Sequence, residues 1–226
     1  MNRFAIMSVA FSVALCLTAC QESKDLNHPV SEAELYKKIG EEIPFETGMQ
    51  WIAFYREKQA AHGRLSLLST YKVPADNMKL MLQSTPALTG IAFHYAIDQD
   101  GIAHILLVPV DATLELWSSE ASRMFIDANT GNAITQGLAF EWAQNYKELY
   151  PQDIWFHFFG KDVFDEMCSL PYFQDVTIEP ATNDTDMTPQ LLLVVWDESA
   201  VSSGRKKYSS GTVYDASNAC PPCATK

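Results

Sequence analysis

The chain has 226 residues, 47% hydrophobic and 12% aromatic, which suits one domain built around a sizeable core. Its 16 basic and 28 acidic side chains give a formal charge of −12, a field that opposes binding to phosphate backbones and excludes nucleic acid as a partner. Past the N-terminus no apolar run approaches the ~20 residues needed to span a bilayer, so the body is expected to be soluble.

The chain opens as a secretory leader. Asn2 and Arg3 form a short n-region with one positive charge, and Phe4 to Leu17 run almost wholly apolar, broken by Ser8 and Ser12. This stretch is short for a transmembrane helix but fits a signal-peptide h-region, of about 7–15 residues, followed by small residues. Leu17-Thr18-Ala19-Cys20 then resembles the lipobox of bacterial lipoproteins. The resemblance implies lipidation of the Cys20 sulfur, cleavage after Ala19 and acylation of the new amino group, so that two or more acyl chains anchor the protein to the membrane. Gln21 stands where an Asp would imply inner-membrane retention, which favours the outer membrane. The expected organisation is a signal peptide over 1–19, a polar tether over 20–30, a globular domain over 31–198 and a polar C-terminal segment over 199–226.

In the body, Ser31 and Glu34 form a capping box, and a short helix follows until Gly40. A second helix is expected from Thr47 to His62-Gly63, and a third from Pro74 to Gln83. Ile91, Phe93, Tyr95 and Ile97 alternate with Ala92, His94 and Ala96, the period of a strand. Asp98-Gln99-Asp100-Gly101 supplies the turn, and Ile102 to Val108 the returning strand, with Pro109 expected to end it or mark it as an edge. Leu114 to Trp117 is a weak strand candidate. Met124-Phe125-Ile126 reads as a strand entering the tight turn Asp127-Ala128-Asn129-Thr130-Gly131.

Ala133 to Leu149 has the clearest helical period, with Ile134, Leu138, Trp142, Asn145-Tyr146 and Leu149 on one face. Lys161 to Leu170 is another helix. Phe173 to Glu179 and Gln190 to Trp196 read as strands separated by a polar loop from Pro180 to Pro189, and Thr212 to Tyr214 as a final short strand. Helices grouped around hairpins give an α+β fold, with N-terminal and central helices packed on a mainly antiparallel sheet.

Cys220-Pro221-Pro222-Cys223 is the most conspicuous chemical feature. A CxxC pair serves redox catalysis, half of a metal site, or a structural bridge. Redox catalysis needs the first Cys at a helix N-terminus, and only Ala224, Thr225 and Lys226 follow. A structural zinc site needs about four N/S ligands, and a second CxxC or HxxxH pair is missing. A disulfide in an oxidising envelope is the preferred reading, drawn from Cys168, Cys220 and Cys223, with the pairing open and one thiol left over. The tail, together with Leu107-Val108-Pro109-Val110-Asp111, is similar to small bacterial lipoproteins that finish in a Cys-Pro-Pro-(x)-Cys motif, a group that brings no activity with it.

The histidines offer no motif. His94 and His104 flank the hairpin turn; a two- or four-residue connection would put them on opposite faces, and a three- or five-residue connection on the same one. His157 sits in an aromatic run and reads as a half-buried histidine with its hydrogen bonds satisfied, not as a ligand. Asp98-x-Asp100-Gly101 resembles the opening of a calcium loop, but Ile102, Ala103, His104 and Ile105 follow where oxygen donors are required, so it is a turn. Asp184 and Asp186 lie in a polar loop and need no role. Trp142, Tyr146, Tyr150, Trp155, Phe156, Phe158 and Phe159 are read as core, from helical spacing, ahead of a sugar- or peptide-binding platform. No G-x-S-x-G, S-x-x-K, H-E-x-x-H or P-loop occurs, so no catalytic residue, cofactor or metal is assigned.

The leading expectation is a cell-envelope lipoprotein acting as a binding or accessory component, with the membrane as one partner and an envelope protein or glycan as the other. The rivals are an envelope glycan or peptide hydrolase without a local motif, and a thiol- or metal-handling protein.

Overall fold

The computed structural model describes residues 31–62, 69–117, 124–198, 210–215 and 218–220. Over Ser31–Lys226 the fold is α+β, with two antiparallel sheets where the sequence suggested one. The helices are α1 (Glu32–Tyr36), α2 (Phe45–His62), α3 (Ala75–Ser84), α4 (Gln136–Leu149) and α5 (Lys161–Ser169). The strands are β1 (Glu41–Ile43), β2 (Tyr71–Pro74), β3 (Leu88–Ile97), β4 (Ala103–Asp111), β5 (Phe125–Asp127), β6 (Asn132–Ile134), β7 (Phe156–Gly160), β8 (Asp175–Thr182), β9 (Pro189–Trp196), β10 (Gly211–Asp215) and β11 (Asn218–Cys220). One sheet runs β1-β10-β9-β8-β2 and the other β11-β7-β3-β4-β5-β6.

The sheets share an inner core. Ile91, Phe93, Tyr95 and Ile97 of β3 and Ile105 and Leu107 of β4 join Val176 and Ile178 of β8, Leu191, Leu193 and Val195 of β9, and Tyr214 of β10. Met78 and Met81 of α3 and Val163, Phe164 and Met167 of α5 complete it. Burying each such side chain stabilises by about 1.5–3 kcal/mol before conformational entropy is counted. The opposite face of the six-stranded sheet carries Ala92, Ala96, Leu106, Val108, Phe156 and Phe158, covered by Tyr36 and Ile39 near α1 and by Ala139 and Trp142 of α4. The opposite face of the five-stranded sheet carries Ala181, Leu192, Val194 and Val213 beneath Ile52, Met49 and Trp51 of α2.

Local chemistry explains the boundaries. Ser31 Oγ accepts from the Glu34 amide at 3.3 Å, the expected N-cap of α1. Thr135 does the same for α4 through the Leu138 amide, which moves that helix start from Ala133 to Gln136 and frees Asn132–Ile134 to pair as β6. The buried face of α4 is Ala139, Ala143 and Tyr146, while Leu149 is exposed: the helix approaches the sheet on its alanines, not its leucines.

Three other expectations change. Strand β4 continues through Pro109, which pairs with Ile91 of β3, as far as Asp111, so the proline does not end the strand. Strand β8 passes through Pro180 to Thr182, so the polar loop shrinks to residues 183–188. Leu114 to Trp117 forms turns, not a strand.

Gly160 ties the N-terminal segment to α5. The first amides of a helix have no partner within it, and here the Gly160 and Asp162 amides donate to the carbonyls of Ile39 at 2.7 Å and Lys37 at 3.0 Å. A Cβ at Gly160 would sit 2.2 Å from the Lys37 oxygen. Gly160→Ala is therefore expected to destabilise by about 1–3 kcal/mol in urea unfolding. Gly137→Ala, which adds a Cβ into open space on α4, should leave stability unchanged or raised by up to about 1 kcal/mol. Equal effects of the two changes would refute the close approach.

Candidate functional site

The turn between β3 and β4 spans residues 98–102, a five-residue connection, so His94 and His104 project from the same face of the sheet. The two rings do not share a ligand. His94 directs Nδ1 to the Tyr95 carbonyl at 2.7 Å, and its ring packs against Phe156 and Trp117. His104 stands between two carboxylates, with Nδ1 2.9 Å from Asp127 Oδ1 and Nε2 3.2 Å from Asp98 Oδ2, and Trp142 covers its ring at 4.5 Å.

Both carboxylates are engaged further. Asp98 Oδ1 accepts from the amides of Asp100 at 2.9 Å and Ile102 at 2.8 Å, the turn expected in place of a calcium loop. Asp127 Oδ1 accepts from the Asn129 amide at 3.0 Å and Oδ2 from Thr130 Oγ1 at 2.9 Å, closing the next turn. Burial pushes the Asp98 carboxyl up, yet hydrogen bonds from Ile102, His104 and Asp100 outweigh it and hold the group below its ordinary value. An aspartate–histidine–aspartate row can orient a catalytic base, but here each ring nitrogen already faces a carboxylate. The row clasps two turns together.

His157 is of another kind. It is fully buried on β7, near Tyr95, and neither ring nitrogen has a hydrogen-bond partner among the described residues. Burial pushes it down to about 3, and His94 down to about 4 despite the bond to Tyr95. Its aromatic neighbours are core, but by strand alternation and not helical spacing. Phe156 and Phe158 face α1 and α4, and Phe159 faces the inner core. Tyr146 is buried, while Trp142, Tyr150 and Trp155 are partly covered.

The cysteines are not assembled into a site by the described residues. Cys168 is a free, half-buried thiol on the last turn of α5, and burial pushes its pKa up. Cys220 closes β11, opposite Phe156, so its backbone is a strand and not the start of a helix. Cys20 and Cys223 lie outside the described residues, as do the signal and the tether. No group of three or more His, Cys, Asp or Glu side chains able to hold a metal occurs among the described residues. Asp184 accepts from Gln50 and, at 3.2 Å, from Trp51 Nε1, fastening the β8–β9 loop to α2.

A second polar group had no sequence signal. Tyr55, Arg56 and Gln59 of α2, Ser69 and Thr70 before β2, and Glu179 and Pro180 of β8 line a cleft of about 210 Å³. Glu179 pairs across the sheet with Leu192, which places it on the face beneath α2, with its side chain 6% exposed. A buried carboxylate there needs compensation. Arg56 Nη2 donates to Oε2 at 3.0 Å, and Thr70 Oγ1 donates to the same oxygen at 2.8 Å. The partners are 123 residues apart in sequence, so spacing could not reveal them. Glu179 Oε1 and the remaining guanidinium donors of Arg56 have no partner among the described residues.

Comparison with family models, with curated proteins and with solved structures finds no match to this chain.

The histidines set an acid limit. Their folded values lie below the ordinary value of about 6.5, so stability is complete above that pH and falls as pH drops towards about 4 for His94 and about 3 for His157. Each contributes a slope of ~1.4 kcal/mol per pH unit in that window. Urea titrations of His157→Leu should show a slope shallower by about that amount between about pH 6 and 4.5. An unchanged slope would mean that the folded ring takes up its proton.

Proposed function

We propose that this is an envelope lipoprotein, anchored through Cys20, whose folded domain binds a small ligand or envelope partner and is not an enzyme. The leader Leu17-Thr18-Ala19-Cys20 supports the anchor, and Gln21 supports the outer membrane as its address. The observation that carries the binding role is the cleft between α2 and β8. Among the described residues it presents unused hydrogen-bonding capacity of both signs, on Arg56 and on Glu179 Oε1, beside Tyr55 and Pro180. Such a mixture of a few placed polar groups and an apolar wall is what ligand sites share.

The cleft also argues against a hydrolase working there. A glycosidase pair needs two carboxylates about 5–10 Å apart, whereas Glu179 is the only acid among the described residues that line this cleft, and Arg56 is paired with it. Asp98 and Asp127 flank His104 but are committed to their turns.

Two measurements test the reading. A palmitate analogue fed to the producing cells should label the wild type and not Cys20→Ala; label that survives the substitution overturns the anchor. Against the detergent-solubilised full chain, a panel of amino acids, sugars and cell-wall fragments should contain at least one compound that raises Tm in proportion to the logarithm of its concentration. That shift should disappear in Arg56→Gln. A panel with no stabilising compound overturns the binding role.

A further inference from the structure

The cleft between α2 and β8 holds two opposite charges that are only half used. Arg56 spends Nη2 on Glu179 Oε2 and approaches Thr70 Oγ1 at 3.5 Å. Its other guanidinium donors have no partner among the described residues, and its side chain is 61% exposed. Among the described residues Glu179 receives both of its bonds on Oε2 and none on Oε1, although the side chain is almost entirely withdrawn from bulk water. A guanidinium with spare donors thus sits against a carboxylate with a spare acceptor, and the pair is neutral overall.

A ligand that complements this pair carries a cation and an anion within a few bonds of each other. We propose that the cleft binds the head group of a free α-amino acid, with its carboxylate on Arg56 and its ammonium on Glu179 Oε1; this rests on the reading of the cleft as a ligand site. Both contacts form without breaking the Arg56–Glu179 bond, because each uses atoms that the bond leaves free. Both are charge-assisted, roughly twice as strong as neutral hydrogen bonds, and one of the partners is already desolvated.

Other ligand classes fit less well. A simple anion would gain Arg56 but face Glu179 Oε1, and would approach a chain of net charge −12. A simple cation would gain Oε1 and be repelled by Arg56. A neutral sugar could bond to both groups but would match neither charge. The size points the same way. At about 210 Å³ the cleft is smaller than the ~300–1,000 Å³ of sites for drug-sized ligands, which suits a single amino acid. Tyr55 and Pro180 provide a partly apolar wall for its side chain.

The test is calorimetric titration of the full-length protein in detergent with leucine, N-acetyl-leucine, leucinamide and glucose. Leucine is expected to bind, and blocking either the ammonium or the carboxylate should weaken binding by at least about tenfold, the loss of one charge-assisted bond. Arg56→Gln should remove the discrimination against leucinamide, while keeping some of that against N-acetyl-leucine. The analogue series needs only the wild-type protein, so the outcome does not depend on a variant folding. Equal affinity for leucine and N-acetyl-leucine overturns the proposal, and so does no heat of binding at millimolar leucine. Binding of glucose alone would overturn it while leaving the cleft a ligand site; no binding of any compound in the wider panel would remove both.

Discussion

Strand β3 is buried along its whole length and on both faces, and the sequence meets that constraint by giving the faces different sizes of side chain. Ile91, Phe93, Tyr95 and Ile97 fill the space between the sheets, while Ala92 and Ala96 on the other side let α4 come down on Ala139 and Ala143. Two small surfaces meeting at close range exclude water with little bulk, and packing at that density tolerates few changes of volume. Most other contacts follow from this strand. It pairs with β4 on one side and β7 on the other, and through them it positions the turns that hold His104 and the segment that meets α1.

The same burial decides what happens to polar groups carried into the six-stranded sheet. Three histidines face three outcomes. His104 lies at the end of the hairpin, where two turns deliver carboxylates to it, and becomes a fastening. His94 lies further in and finds only the Tyr95 carbonyl. His157 lies on β7, fully buried between β11 and β3, and has no hydrogen-bond partner among the described residues. Depth in the sheet orders the three, and an uncompensated imidazole costs about 1–3 kcal/mol.

That gradient explains how much of the chain could be read from its sequence. The Ser31 N-cap, the Asp98–Gly101 turn and the alternation of β3 are local signals that match the structure, although the Glu34 side chain of the expected capping box pairs with Lys37 instead. Strands β1, β2, β7 and β11 were invisible because they are short or aromatic and acquire their identity from a distant partner. Phe156 to Gly160 has no polar residue to mark alternation except His157, which a strand buried on both faces conceals. The cleft was invisible for the same reason. Arg56 looks like the solvated face of a helix, and Glu179 like the polar end of a strand, until α2 is laid across β8.

Laying α2 there also explains why Glu179 is tolerated. The apolar residues beneath the helix are Ala181, Leu192, Val194 and Val213, and by register Thr177 and Asp215 share their face with Glu179. Replacing a buried ion pair with hydrophobic side chains is often neutral or stabilising. Arg56 gives only partial repayment, since its exposed side chain loses entropy to hold one geometry and its charge is screened by water. Thr70 adds a second donor to the same oxygen, which restrains the carboxylate through Oε2. The arrangement keeps a carboxylate under α2 at the cost of fixing Arg56 and Thr70 around one of its oxygens, and this is the group on which the proposed binding role rests.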